Sequence, residues 1–387
     1  MDLSLSPEEQ AFAAEIRRWL EANLDLPPSF SSLAEEIEWG RAWQAKLARD
    51  RWIAIHWPAE FGGRGASPVQ VAIFNMEYAR SRALQPVNRN GINLAGPTLL
   101  AHGTEEQKRR WLPPILDARE IWCQLFSEPG AGSDLAGIST RAVPAEGGWL
   151  LSGQKVWTSY AHFARWGICL ARSDPELGKH RGISYFVVDM EADGIEIRPL
   201  MSITGEAEFN EVFLDDVFVP ADHLVGGLNN GWAVANTTLA HERGTTFPFK
   251  EQVVHEVYLQ DLYALAHERG VLSDVDVADA LAQSFVELRV LRLHNWRTLS
   301  RLARGEEPGP ESSWVKLAWT EMTQHLSDTG LELTDEASPL WHGADMLPAD
   351  GRWQRQWLWS KAASIAGGTS EIQRNIIGER ILGLPRG

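Results

Sequence analysis

The sequence predicts an α+β protein in three consecutive parts, helical, then β, then helical. Three observations carry this. The first third shows repeated helix-start signals. At about residue 122 the chain turns to short β-branched and aromatic runs separated by Gly, Asp and Pro clusters. After Gly231 apolar residues return at helical spacing and persist to the end. The domains expected are 1–121, helical; 122–231, antiparallel β; and 232–387, helical.

The elements follow in order. In SPEEQAFAAEIRRWL, Ser6 stands at the N-cap, Pro7 at the first helical position and Glu9 three residues after the cap. Phe12, Ile16 and Leu20 then line one face. SPVQVAIFNMEYAR starts the same way at Ser67. TEEQKRRWLPPIL starts at Thr104 and is predicted to end at Pro113–Pro114, where two amide donors are missing. WLLSGQKVWTS, WGICLARS, ISYFVVDM, IEIRPL and NEVFLDDVFVP read as strands. Over 275–304, Val277, Leu281, Phe285, Leu288, Leu291, Leu299 and Leu302 form a helical stripe expected to be core, with Asn295 in its one gap.

Bulk properties narrow the function classes. A net charge of −16 over 387 residues argues against a general nucleic-acid surface. No apolar run approaches the roughly 20 residues that cross a bilayer, and MDLSLSPEEQAF carries neither a basic start nor an apolar signal core. Cys123 and Cys169 give neither metal spacing nor a disulfide framework, so buried thiols in a reducing, cytoplasmic compartment are expected, with no metal.

Three stretches carry chemistry. In CQLFSEPGAGSDLAG (123–137), Gly130, Gly132 and Ser133 permit close backbone approach to a ligand, though a plain helix-to-strand turn has the same composition. In GQKVWTSYA, Trp157 stands beside Thr158 and Ser159, a ring able to stack on a flat heterocycle next to hydroxyls able to bond its edge. In a chain with 18 tryptophans a core role is the alternative. In SIAGGTSEIQRN (364–375), a helix is expected to end at Gly367 or Gly368, and Thr369 or Ser370 to cap the next. Such a small-residue turn also suits a polar cofactor edge.

Taken together, HWPAEFGG, SEPGAGSD, GQKVWTS, VFVPADHLVG, GWAVANTTLAHERG and GGTSEIQRN resemble the acyl-CoA dehydrogenase family over nearly the whole chain. The resemblance implies an N-terminal helical domain, a middle antiparallel β-domain, a C-terminal four-helix bundle, and FAD as cofactor. By residue match, Gln124, Phe126, Ser127, Gly132 and Ser133 line the flavin, with Ser133 also near the thioester. Trp157 stacks on the isoalloxazine, Ser159 bonds its edge beside Thr158, and Gly368, Thr369 and Glu371 hold FAD from the tail. The family abstracts an α-proton from an acyl-CoA and passes a β-hydride to flavin.

In many members the proton-abstracting Glu immediately precedes the Gly-Thr of the tail; here that position is Gly367. A minority carry the base in the preceding helix before an arginine, and Glu242–Arg243 match that arrangement. Glu242 is therefore the expected base, with Ser133, Arg243 and Gly367 at the substrate. The second LAHERG, with Glu268, falls at another family position and is expected to be solvated. Gly367 also leaves room for a bulky or branched acyl group, a steroid side chain among them. The family's elements for holding the other half of a neighbour's FAD are eroded: Arg269 remains in ERGVLSD without its Phe-Gly, and TDEASPLWHGADML holds no glycine cluster. That implies a second homologous subunit in an α2β2 assembly, as in the heteromeric enzymes of bacterial steroid degradation. Electron-transfer flavoprotein or a similar acceptor is expected as redox partner. The alternatives are a non-catalytic flavin-binding subunit and a same-fold flavin oxidase or monooxygenase.

Overall fold

The computed structural model describes residues 5–28, 30, 32–242, 246–306, 309–341 and 347–385, with backbone alone for 242 and 246–249. Two compact units interleave along the chain. One comprises 1–26, 67–83 and 243–387, the other 27–66 and 84–242.

The second unit holds a sheet of β1 (Trp122–Leu125), β2 (Arg141–Ala145), β3 (Gly148–Lys155), β4 (Trp166–Arg172), β5 (Ile183–Asp189), β6 (Ile195–Leu200), β7 (Phe209–Pro220) and β8 (Leu224–Val225). Its order is β6-β7-β3-β2-β4-β5-β8, with β1 joined to β4. The expected antiparallel pairing holds for most neighbours, but β1 and β2 both run parallel to β4, Cys123 opposite Gly167 and Arg141 opposite Arg172. Two whole strands, β2 and β3, lie between β1 and β4 in sequence, so no tight hairpin constrains the direction of β1. Leu151, Cys169, Phe186, Val188, Val212 and Val217 form the core behind the sheet. Cys123 and Cys169 are buried free thiols, as expected.

The same unit contains α2 (Leu33–Arg49), α4 (Gly96–His102), α5 (Glu105–Leu116) and α6 (Gly231–Glu242). The Thr104 capping box forms as predicted. The predicted stop at Pro113–Pro114 does not occur, and α5 runs through both prolines to Leu116. Leu112, Pro114, Ile115 and Leu116 are buried. The buried Gln44 amide donates to the carbonyls of Ile115 (3.0 Å) and Leu116 (2.9 Å), and Asn88 Nδ2 to Ile115 (3.0 Å). These amides cap the carbonyls of the last turn, while burial of the apolar residues around them offsets the two amide donors that the prolines lack.

The first unit gathers α1 (Pro7–Asn23), α3 (Pro68–Arg80), α7 (Thr246–Glu268), α8 (Val275–Ala303), α9 (Glu311–Glu332), α10 (Arg352–Ser360) and α11 (Ser370–Ile376). Ser6 and Ser67 each close a capping box. The stripe on α8 is core at Leu281, Leu288 and Leu291, packed with Tyr258, Leu262, Trp319 and Leu326, and at Leu299, packed with Ala72 and Val69. Phe285 departs from it: the ring is 50% exposed and lines a cavity of about 340 Å³ with Tyr263, Leu259 and Arg289. At about 100° per residue Phe285 stands about 40° past Leu281, just outside the arc that buries Ser284, Leu288, Leu291 and Asn295. Asn295 is buried, and its Nδ2 donates to Gln252 Oε1 (3.0 Å). No described helix is long and apolar enough to cross a membrane, and no metal-binding cluster occurs among the described residues.

Candidate active site

The glycine-rich stretch and the tryptophan stretch are fastened together by one buried ion pair. Lys155, last residue of β3 and fully buried, places Nζ 2.8 Å from Glu128 Oε1. The ammonium also donates to the carbonyls of Leu170 (2.8 Å) and Phe126 (3.3 Å). The Glu128 carboxylate accepts from Ser139 N (2.6 Å), Ser139 Oγ (2.7 Å) and Thr140 N (3.0 Å). Burial by itself pushes this carboxyl up. The Lys155 charge and these hydrogen bonds outweigh it and hold it at about 2. Val156 N donates to the Ser127 carbonyl (3.0 Å), and Glu128 and Ala131 exchange both backbone bonds across the Pro129–Gly130 turn.

Trp157, expected within a strand, lies beyond it. The strand ends at Lys155, and Trp157 takes φ +60° with its ring 64% exposed. Left-handed backbone is strained for a bulky residue. Its neighbours enforce it: Thr158 N donates to the Asn210 carbonyl (3.1 Å), and the buried Asn210 amide donates back to the Thr158 carbonyl (2.9 Å). The ring meets Phe209 edge to face at 6.0 Å and otherwise stands clear. Beside it, the buried Thr158 Oγ1 has no hydrogen-bond partner among the described residues. A Cβ at Gly130 or Gly132 would meet nothing within 4 Å, so the turn presents an uncluttered backbone face. An exposed strained ring, a buried hydroxyl with unused capacity and a bare glycine turn fit a flat heterocycle with a polar edge. Of the other expected flavin residues, Gln124, Ser127 and Ser159 are half-buried and Ser133 is exposed. Phe126 is buried and packs edge to face on Tyr185 at 5.9 Å.

Helix α6 is anchored by hydroxyls. Thr238 Oγ1 is 2.8 Å from Thr98 Oγ1 and 3.3 Å from the Tyr185 hydroxyl, all buried. Thr237 meets His102 Nε2 at 2.8 Å. Thr238 lies one turn before Glu242, on the same side of the helix. Glu242 closes α6; its side chain and Arg243 lie outside the described residues.

In the other unit, the helix expected to end at Gly367 or Gly368 ends earlier: α10 stops at Ser360 and a 3-10 turn runs on to Ser364, so the glycines lie in the turn that follows. Gly367 and Gly368 take φ +65° and +93°, and Thr369 caps α11 through Ile372 N (3.3 Å). No side chain, and so no carboxylate, exists at 367. Glu371 is exposed, its carboxyl lowered by hydrogen bonds from its own backbone N–H and the Thr369 hydroxyl. Glu268 is exposed, as expected. Arg269 is engaged within its own chain, donating to the Leu333 carbonyl (2.8 Å) and to Asp335 Oδ2 (3.2 Å).

Sequence reasoning missed Glu128, Lys155, Asn210, Thr98 and Thr238. One signal was available: a lysine inside an otherwise uncharged strand, WLLSGQKVW, demands a buried partner.

This fold is that of a flavin-dependent acyl-CoA dehydrogenase, and the chain belongs to that family: its N-terminal, middle and C-terminal domain descriptions match residues 6–119, 123–217 and 229–382. It is an acyl-CoA-oxidising flavoenzyme with FAD as cofactor. Among its relatives is acyl-CoA dehydrogenase IpdE1 of Mycobacterium tuberculosis, 40% identical over 389 residues, covering 97% of this chain and 98% of that one. Acyl-CoA dehydrogenase FadE34 of the same organism is 44% identical over 352 residues, 89% of this chain but 46% of that one. The ChsE4-ChsE5 complex from Mycobacterium tuberculosis matches at TM-score 0.85 and 31% identity, covering 100% of both chains. The Tcur3481-Tcur3483 steroid acyl-CoA dehydrogenase matches at TM-score 0.88 and 28% identity, again with 100% coverage of both.

Proposed function

We propose that this enzyme dehydrogenates a bulky, ring-bearing acyl-CoA, a steroid side-chain thioester in class, with Glu242 as the base. FAD, when bound, supplies the acceptor for the β-hydride. The Glu242 carboxylate takes the α-proton, with Arg243 beside it. Trp157 stacks on the flavin ring, and the Thr158 and Ser159 hydroxyls bond its edge. Gln124, Phe126, Ser127 and Gly132 line the ring, and Ser133 faces the thioester. The tail contributes Gly368, Thr369 and Glu371 to the cofactor, while Gly367 leaves room for the acyl group.

The observation that carries this is the bare left-handed glycine at 367, which removes the tail carboxylate and leaves Glu242, on a helix tied down by buried hydroxyls, to serve. Replacing it tests the assignment. Glu242→Gln is expected to retain flavin and lose about 10²–10⁴-fold in kcat. A variant keeping more than a tenth of kcat excludes Glu242 as base.

We further propose that a homologous second subunit completes the cofactor site in an α2β2 assembly that delivers electrons to an electron-transfer flavoprotein. Arg269 is committed to its own chain, two structural relatives are two-component complexes, and FadE34 has length to spare beyond the matched part. Flavin per chain, measured by absorbance for the lone chain and after co-expression with a neighbouring homologue, tests it. Low flavin alone and about one per heterodimer is expected; a full complement on the lone chain refutes it.

A further inference from the structure

We propose that Gln373 is a positioning residue for the Gly367–Gly368 turn and, through that turn, sets which acyl groups the enzyme accepts; this rests on the role given above to Gly367. The Gln373 side chain is fully buried. Its Nε2 donates to the carbonyls of both Gly367 and Gly368, each at 3.2 Å. A Cβ on Gly368 would come within 2.7 Å of that nitrogen, so the amide lies flat against the turn where only glycine allows it. Upstream, the buried Lys316 Nζ (2.8 Å) and Thr320 Oγ1 (3.1 Å) both donate to the Ala363 carbonyl. Downstream, Thr369 caps the next helix.

The segment from 363 to 369 is thus held through main-chain carbonyls at both ends, while Ile365 and Ala366 stay exposed. Two consecutive glycines have the widest backbone freedom of any dipeptide. A single amide bonded to both carbonyls removes that freedom and fixes both peptide planes. Without it, the space left by the missing side chain at 367 has no fixed shape, and discrimination between acyl groups falls.

The test uses the flavin-loaded enzyme with whatever subunit it requires. Gln373→Met keeps the volume and removes both donors. Two readouts are taken: hydrogen–deuterium exchange of residues 364–370, and calorimetric affinities for cholyl-CoA and octanoyl-CoA. Faster exchange in the turn together with a change of at least about fivefold in the affinity ratio is expected. Unchanged exchange overturns the clamp. Faster exchange with an unchanged ratio overturns the specificity role. Gly367→Ala separates the two levels: if it shifts the ratio while Gln373→Met does not, Gly367 keeps its role and Gln373 loses the one proposed here. If Gln373→Met fails to fold, Gln373→Glu, which keeps the shape and replaces both donor hydrogens by an acceptor, is judged by the same readouts.

Discussion

Removing the Lys155 ammonium while leaving Glu128 in place isolates the ion pair that fastens the glycine-rich stretch to the tryptophan stretch. The Glu128 carboxyl lies at about 2 against an ordinary 4.5. Each pH unit of such a difference is worth about 1.4 kcal/mol, so the ionised carboxylate contributes about 3 kcal/mol. Because the folded value is depressed, this contribution is present above about pH 4.5 and is lost as pH falls toward 2. In Lys155→Met the hydrogen bonds from Ser139 and Thr140 remain, but burial now works against an unpaired charge and pushes the carboxyl up. The loss expected at pH 7 is about 3–5 kcal/mol, and it shrinks below pH 4.5, where the variant's carboxyl is protonated in its folded and unfolded chains alike. Glu128→Gln combined with Lys155→Met removes both charges and is expected to recover most of the loss. Urea unfolding at pH 7 and pH 4 measures all three. A single-variant loss under about 1 kcal/mol, or one that does not change with pH, refutes the account of this pair.

Trp157→Ala is expected to leave the unfolding midpoint nearly unchanged, since the ring is largely in solvent, while weakening FAD about tenfold in an equilibrium titration. Burial, with the neighbouring His241 adding to it, pushes the His56 imidazole down to about 4. The unfolded chain therefore binds one proton more between about pH 6.5 and 4, and stability falls as pH drops through that window; His56→Gln is expected to flatten the slope by about one proton in pH-dependent unfolding. Thr98→Val is expected to cost about 1–2 kcal/mol. A double-mutant cycle with Thr238→Val should show about 1 kcal/mol of coupling, and a coupling of zero would mean that the pair does not anchor α6.

Much of this protein was legible in its sequence because many of its signals are local. The caps at Ser6, Ser67, Thr104 and Thr369 act over three residues, the glycine turn at 367–368 over two, and strand or helix periodicity over a few more. The α–β–α order follows from those signals alone, and the family resemblance from short motifs that are themselves contiguous in the chain. What the tertiary structure decided depends on groups distant in sequence. Lys155 finds Glu128 across 27 residues, and Asn210 turns Trp157 out of its strand. Gln44 and Asn88 let α5 pass through two prolines. In α8, Phe285 falls just outside the buried arc and meets solvent, while Asn295 lies inside it with Gln252. Local propensity is a matter of tenths of a kcal/mol per residue, whereas an unpaired buried charge costs several, so wherever the two conflicted the distant partner prevailed.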